Sequence, residues 1–298
     1  MNALSRLISI LGSNKKNIGF VSHDSGGSNL LAYMAMKMDS EINKKVSAEG
    51  PGMKIWSDVF PSIEFCQADT VINFSDLIIT GTGNTDFEHQ IRVKAKENNK
   101  YTIAVIDHWV NYLERFSFNG SSLFPDEIWV TDEEALKLAK NLFTNVKIIH
   151  INNDYYNFVK FQIGHNNLKS KNILYVMEPI EEVWSSNTPG WLDAFSFFWE
   201  NRDLIANGKI EKIIIRPHPK DQINKYDILM NMYENIYVDE HTSIINSLMN
   251  ISSVVGVESA ALDLSNFCGI QTFSSMPPWG RKIKIPVKKI NLISDLTS

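Results

Sequence analysis

The chain has 298 residues, 44% hydrophobic and 21% charged, which are proportions typical of a folded globular protein and exclude a disordered or low-complexity chain. Its 29 basic and 34 acidic residues give a formal charge of −5 and are dispersed, so nucleic acid is not an expected partner. The two cysteines, Cys66 and Cys268, lie far apart without metal-ligand spacing, which favours a reducing compartment and argues against a structural metal.

The first predicted element is a helix around the short apolar run from Leu7 to Leu11. Only Arg6 precedes this run as a charge, and no small-residue cleavage site follows it, so we interpret it as a helix rather than a signal peptide. No window approaches the roughly 20 apolar residues that cross a bilayer. We therefore expect a cytoplasmic protein and leave peripheral contact with the inner face of the membrane open.

From residue 17 onward, short apolar runs alternate with polar or glycine-containing turns and helical patterns, as β-α units on a parallel sheet do. The predicted strands of the first half cover residues 17–22, 45–48, 77–80, 102–107, 127–131 and 146–151. The clearest helices cover 29–38, 88–98 and 132–142. The polar stretch 157–171 is interpreted as a linker. The alternation then restarts with strands at 172–177, 212–216, 236–238, 253–256 and 271–273 and helices at 190–201, 226–234 and 243–249.

These patterns predict an α/β protein of two Rossmann-like, doubly wound parallel-sheet domains, residues 1–160 and 161–298, facing a cleft. In such sheets, ligands bind at the carboxyl ends of the strands. Candidate functional residues are therefore expected in the strand-to-helix turns.

The first turn of this kind reads HDSGGSN and begins at His23. Two consecutive glycines permit a close approach of the backbone to a ligand, and the following helix start offers unpaired N–H groups. A tight turn capped by Ser28 or Asn29 is the competing interpretation. The candidates in this turn are His23 and Asp24 for catalysis and Gly26, Gly27 and Asn29 for substrate binding. The dinucleotide fingerprint and the P-loop motif are both absent, so neither NAD nor a P-loop ATPase is expected.

Two further turns of the first half carry mixed polar and aromatic residues. In TGTGN and the helix start that follows it, the candidates for substrate binding are Gly81, Thr82 and Glu88, although Glu88 could equally favour the helix dipole. The loop DHWVNY delivers an acid, an imidazole, an indole, an amide and a phenol, a mixture that suits sugar binding. Its candidates are Asp107 and His108 for catalysis and Trp109, Asn111 and Tyr112 for substrate binding.

The second half has two turns of greater specificity. In RPHP, two prolines bracket His218 directly after a predicted strand and fix its direction, so the imidazole can reach a phosphate or act as an acid. In GVES, Ser259 and the helix start at Ala260 can bind an anion. Arg216 and Glu258 complete the candidate set for donor binding.

The pair RPHP and G-x-E-S resembles the nucleotide-binding half of bacterial GT-B glycosyltransferases over about residues 170–275. The resemblance is nearest to CMP-sugar-dependent sialyl- and Kdo-transferases and to CDP-glycerol glycerophosphotransferases. It implies that His218 and Ser259 contact the donor phosphate and that Glu258 contacts the ribose or base.

The resulting hypothesis is a glycosyltransferase of bacterial surface-polysaccharide synthesis, such as lipopolysaccharide or capsule, acting on a CMP- or UDP-sugar and a glycan or lipid-linked glycan acceptor. The second domain would bind the donor, and the first would supply the base, Asp107 or Asp24 with His23 and His108 as neighbours. No DxD triplet is present, so neither a metal nor a cofactor is expected. A nucleotide-sugar hydrolase or epimerase, a glycerol- or ribitol-phosphate transferase, and a non-catalytic nucleotide-sugar-binding subunit remain alternatives.

Overall fold

A computed structural model describes residues 3–12, 17–118, 120–164, 170–184, 187–206, 209–219, 221–284, 286 and 290–297. The chain divides into two compact units, Met1–Phe158 and Val159–Ser298. Each unit is built on its own six-stranded parallel sheet, so each is described separately below.

The sheet of the first unit comprises β1 (Asn17–Ser22), β2 (Asn43–Ala48), β3 (Leu77–Thr80), β4 (Tyr101–Val105), β7 (Glu127–Val130) and β8 (Lys147–His150). A short antiparallel hairpin, β5 (Ser117–Phe118) and β6 (Ser121–Ser122), follows β4. The helices are α1 (Ala3–Leu11), α2 (Ser25–Met36), α3 (Pro51–Val59), α4 (Ala68–Phe74), α5 (Phe87–Glu97), α6 (Glu133–Leu142) and α7 (Asp154–Ile163). The strand order is β2-β1-β3-β4-β7-β8, and every neighbouring pair is parallel.

The sheet of the second unit comprises β9 (Asn172–Val176), β10 (Lys212–Arg216), β11 (Ile236–Val238), β12 (Ser253–Gly256), β13 (Gln271–Ser274) and β14 (Asn291–Leu292). Its helices are α8 (Gly190–Ile205), α9 (Asp227–Met232), α10 (Ile244–Leu248), α11 (Ala260–Phe267) and α12 (Ile293–Leu296). The order is β11-β10-β9-β12-β13-β14, again parallel throughout.

The central strands are apolar along their length because helices cover both faces of each sheet. All four residues of β3 are buried, as are all four of β12. In the first unit, Phe20 on β1 packs against Trp56 on α3 with ring centroids 5.5 Å apart. In the second, Tyr175 on β9 packs against Phe195 on α8 at 4.8 Å. These contacts lie within a hydrophobic cluster on each sheet, and two further clusters, which include Tyr112 and Val21, pack on the first sheet.

Two local predictions were wrong. Helix α2 begins at Ser25 rather than at residue 29, because Asp24 has an extended backbone (φ −79°, ψ 155°) and is itself the N-cap residue. The glycine pair therefore lies in the first turn of the helix, and neither Ser28 nor Asn29 is the cap. The predicted linker is helical over its first part, since α7 continues to Ile163, and residues 165–169 of that segment lie outside the described residues.

Each sheet has one point at which the strand order reverses, and ligands of doubly wound sheets bind there. In the first unit this switch point lies between β1 and β3, and in the second between β9 and β12. The loops that leave these four strands therefore define where a site is expected. No helix among the described residues is both long and apolar enough to span a bilayer.

Candidate functional site

His23 and Asp24 form a hydrogen-bonded pair directly after β1, at the switch point of the first sheet. Nδ1 of His23 lies 2.6 Å from Oδ1 of Asp24, and Oδ2 of Asp24 accepts the Asn84 N–H at 2.9 Å. Because the carboxylate accepts at Nδ1, the neutral imidazole keeps its proton there and presents a lone pair at Nε2. An imidazole oriented in this way can act as a general base.

Asp107 reaches the same loop cluster from the end of β4. A Cβ built on Gly26 would lie 1.8 Å from Oδ2 of Asp107, so the carboxylate packs directly against the glycine in the first turn of α2. Its other oxygen accepts from Nη1 of Arg115 at 2.9 Å. The structure thus brings Asp107 and Gly26 together at one edge of the sheet and adds the Arg115 guanidinium, which balances the carboxylate.

Glu88 is 1% exposed and ties the β1 and β3 loops together. Its Oε1 accepts the His23 N–H at 2.9 Å and the Gly83 N–H at 3.4 Å, and within the described residues its Oε2 has no hydrogen-bond partner. Burial raises the pKa of this carboxyl, against the opposing effect of the His23 N–H. Glu88 therefore fixes the shape of the site and does not line its surface.

Two arginines that sequence reasoning missed hold this cluster together. Arg115 donates from Nη1 to the carbonyl of Thr82 at 2.7 Å, in addition to its bond with Asp107. Arg92 is 1% exposed and donates to the carbonyls of Gly81 at 3.1 Å and Arg115 at 3.1 Å, and burial lowers its pKa to about 10. No local pattern marks these residues, because their partners lie on other loops.

The remaining candidates of the first two turns have structural contacts. Gly27 is buried, and a Cβ on it would lie 3.2 Å from Cα of Gly81, so the two glycines allow the loops to meet. The hydroxyl of Thr82 is buried and donates to the Val105 carbonyl at 3.2 Å. The amide of Asn29 donates to the backbone of its own helix.

The DHWVNY loop divides between surface and core. His108 and Trp109 are partly exposed and lie 5.3 Å apart, ring to ring, and the Trp109 indole donates to Asp132 at 2.9 Å. Asn111 is exposed with φ +58°. Tyr112 is 4% exposed and belongs to the hydrophobic core, where burial raises the pKa of its phenol, so its predicted contact with a substrate gains no support from its position.

At the switch point of the second sheet, the loop after β9 presents Glu178, which the sequence analysis did not single out. Its Oε1 accepts the N–H of Glu258 at 2.8 Å, across from the end of β12. Burial, with a smaller contribution from the nearby Glu258 carboxylate, raises the pKa of Glu178 to about 7, against the opposing effects of the backbone hydrogen bond from Glu258 and of Arg281. The carboxylate of Glu258 forms an ion pair with the Arg281 guanidinium and accepts the Lys284 N–H at 2.8 Å.

Ser259 is the N-cap of α11, and its hydroxyl accepts the Ala261 N–H at 3.2 Å. Ser259 and Ala260 are both partly exposed. The predicted helix start is therefore present at the switch point, with its hydroxyl already engaged in capping.

Arg216 is held in a network at the ends of β10 and β11. Its Nη1 donates to Oδ2 of Asp239 at 2.7 Å, and Oδ1 of that nearly fully buried carboxylate lies 2.8 Å from Nδ1 of His241. Burial opposes ionisation of Asp239, but hydrogen bonds from Ser247 and Arg216 leave its pKa below the usual value. The two-residue spacing of Asp239 and His241 is the signal that could have found this second aspartate–histidine pair.

His218 is partly exposed in the RPHP loop, and its carbonyl accepts the Asp221 N–H at 2.9 Å. The Asp221 carboxylate accepts from Lys225 at 2.8 Å and from the Tyr226 hydroxyl. These bonds join His218 to Asp221, and Asp221 to Lys225 and Tyr226, and so hold His218 beyond the end of β10.

No protein-family model matches the sequence, and no curated protein matches it. Solved structures do share its fold. The UDP-GlcNAc 2-epimerase of Methanocaldococcus jannaschii, in complex with UDP-GlcNAc and UDP, superposes with a TM-score of 0.60 at 11% identity over 94% of this chain and 89% of that one.

The UDP-GlcNAc 2-epimerase of Neisseria meningitidis, bound to UDP-GlcNAc, gives a TM-score of 0.57 at 11% identity, covering 87% of this chain and 82% of that chain. An Anabaena protein in complex with UDP-glucose gives a TM-score of 0.57 at 10% identity, covering 87% of this chain and 80% of that chain. At these identities the likeness establishes the fold, so the predicted class, two Rossmann-like sheets of GT-B-like type, is confirmed.

Proposed function

We propose that the protein is a metal-independent glycosyltransferase of bacterial surface-polysaccharide synthesis, which transfers a sugar from a CMP- or UDP-activated donor to a hydroxyl of a glycan acceptor. The observation that carries the proposal is the His23–Asp24 pair at the switch point of the first sheet. The motif resemblance in the second unit supports a nucleotide donor. Proteins of the same fold that bind UDP-GlcNAc or UDP-glucose support it as well.

The reaction assigned to the first unit is general-base catalysis. Nε2 of His23 accepts the proton of the acceptor hydroxyl while that oxygen attacks the anomeric carbon of the donor sugar. The bond between the anomeric carbon and the phosphate oxygen breaks, and its electron pair leaves with the nucleotide. Asp24 stabilises the imidazolium that forms. Proton transfer to a well-placed base such as His23 raises the rate by about 10²- to 10⁴-fold. Asp107, paired with Arg115, is the weaker candidate for the base.

Binding of the nucleotide-sugar donor is assigned to the second unit. His218 and the start of α11 at Ser259 and Ala260 offset the charge that develops on the leaving phosphate. Arg216 acts on this site through the loop geometry that its bond to Asp239 maintains. For Glu258, the proposal replaces the predicted contact with the ribose or base by a role in holding the loop, because its carboxylate accepts from the Arg281 guanidinium and the Lys284 N–H.

The proposal is tested by turnover of a panel of CMP-, UDP-, GDP- and CDP-activated donors in EDTA with His23→Ala and His218→Ala. We expect His23→Ala to lower kcat by at least about 100-fold with an unchanged donor Kd, and His218→Ala to weaken donor binding. His150→Ala is the matched control, because this histidine ends β8 on the same sheet and pairs with Glu133 at 3.0 Å. A strict metal requirement, or full activity of His23→Ala, would contradict the proposal.

A nucleotide-sugar hydrolase or epimerase is the second candidate, favoured by the carboxylate of Asp107 beside Gly26. Two proton-transfer groups in one loop cluster are sufficient for a reaction on the donor alone. NMR of the donor incubated without an acceptor distinguishes the two: free sugar or a new stereoisomer formed at the full rate selects the second candidate, and an unchanged donor selects the transferase.

A further inference from the structure

The segment that leads from β2 into the first turn of α3, residues 49–52 and called the loop below, packs against His23 as a third wall of the first-unit site. The N–H of Glu49 donates to the Ser22 carbonyl at 3.1 Å, and the N–H of Gly52 donates to the His23 carbonyl at 2.8 Å. Both ends of the loop are therefore anchored to the backbone that carries the imidazole. The sequence EGPG carries no local signal of this role, because it follows a short predicted strand and Glu49 is its only residue with a reactive side chain.

Gly50 is the residue of this loop that faces the imidazole. A Cβ on Gly50 would lie 2.7 Å from Nε2 of His23 and 2.8 Å from Cε1, closer than real Cβ contacts come. Its φ of +51° is also in the region that side chains rarely adopt. Conformation and space both require a glycine at this position.

The loop itself has little freedom to retreat. A Cβ on Gly52 would lie 2.6 Å from Oγ of Ser28 and 3.0 Å from the carbonyls of Ser22 and His23, so the backbone is in close contact there. Oγ of Ser28 donates to Oγ of Ser22 at 2.8 Å, and that oxygen also accepts from the buried Trp56 indole at 2.9 Å. A side chain at position 50 must therefore displace the imidazole rather than the loop.

We infer that Gly50 is a positioning residue for the transfer reaction proposed above, holding the imidazole of His23 at the angle that keeps Nδ1 on Asp24. The inference rests on the proposed role of His23 as the base. The bare Cα of Gly50 limits rotation of the ring on the Nε2 side, and Asp24 fixes it on the Nδ1 side at 2.6 Å. Displacing the ring lengthens the bond to Asp24 and moves the lone pair away from the acceptor hydroxyl.

The test compares Gly50→Ala with Gly12→Ala. Gly12 has φ +67° and no atom within 4 Å of its Cβ position, so both variants carry the cost of a positive φ and only Gly50→Ala meets His23. Gly50→Asn is a second variant that brings a larger side chain to the same ring. Because Gly50 has φ +51° and ψ −138°, outside the left-handed helical region that asparagine favours, thermal unfolding is measured for every variant.

The measurements are kcat and donor Kd, thermal unfolding, and ¹⁵N NMR of the histidine side chains. We expect the Gly50 variants to lower kcat by about 10- to 100-fold, to leave the donor Kd within twofold, and to shift the His23 imidazole signals, with Gly12→Ala like the wild type. Unchanged His23 signals, or an equal loss of kcat in Gly12→Ala, would overturn the inference. Failure of the proposed function is recognised separately, as full turnover by His23→Ala.

Discussion

Replacing Glu178 by Gln is expected to remove a pH-dependent loss of stability from the second unit. The side chain is partly buried after β9 and accepts the Glu258 N–H at 2.8 Å, a bond that a glutamine carbonyl can also accept. What the substitution removes is the cost of ionising a carboxyl that burial desolvates and that lies near the carboxylate of Glu258. That cost is the cause of the raised pKa of Glu178, about 7 against the ordinary 4.5.

The sign follows from proton binding in the two states. Below pH 4.5 the carboxyl is protonated in both folded and unfolded chains, and above about pH 7 it is ionised in both. Between these values the folded chain binds more protons, so the free energy of unfolding falls as the pH rises. At about 1.4 kcal/mol per pH unit, the difference between about 7 and 4.5 corresponds to an upper limit of about 3 kcal/mol.

The assay is urea unfolding of wild type and Glu178→Gln at pH 5, 6, 7 and 8, comparing the two proteins at each pH so that other titrating groups cancel. We expect the variant to gain about 1–3 kcal/mol over the wild type between pH 5 and 8. Glu181→Gln removes a charge from an exposed position of the same loop, where its side chain is 65% exposed, and should show no such trend. A difference between Glu178→Gln and wild type that stays constant with pH would refute the reasoning.

Three further changes test individual contacts. Glu127→Ala, which leaves the Arg6 guanidinium without its fully buried carboxylate partner, should lower the free energy of unfolding by about 3 kcal/mol in urea. Asp239→Asn should weaken donor binding several-fold by isothermal titration calorimetry, because it releases Arg216 at the base of the RPHP loop; unchanged affinity would separate the network from the donor site. Glu88→Gln should keep kcat within a few-fold and gain stability at pH 8, since burial already favours the neutral acid and the amide still accepts the loop N–H groups.

Strands were predictable because a parallel strand buried on both faces is a continuous apolar run. Leu77–Thr80, Lys212–Arg216 and Ser253–Gly256 match their predicted bounds to the residue. Helix α3 was missed because its first residues, Pro51 and Gly52, are typical of a turn, and only the structure shows that they begin a helix.

The turns of the candidate site were predictable for a related reason, since the carboxyl ends of parallel strands meet at one edge of a sheet. Their partners were not predictable, because each bond joins residues distant in sequence. Asp107 could be chosen from its loop, but its position against Gly26 depends on the packing of α2 against the β4 loop. Tyr112 likewise has a residue type that often contacts sugars, but its burial in a hydrophobic cluster depends on packing that the local sequence does not reveal.

The two sheets have different strand orders, yet at each switch point a carboxylate binds the amide of the facing loop. Glu88, from the helix after β3, accepts the N–H of His23 after β1; Glu178, after β9, accepts the N–H of Glu258 after β12. Burial raises the pKa of both acids. Each acid thereby occupies a backbone donor in a loop at the switch point. In the proposed function, a nucleotide sugar is therefore recognised mainly by side chains and by the start of α11 rather than by these loop amides, and this is why that proposal assigns catalysis to His23 and donor binding to His218.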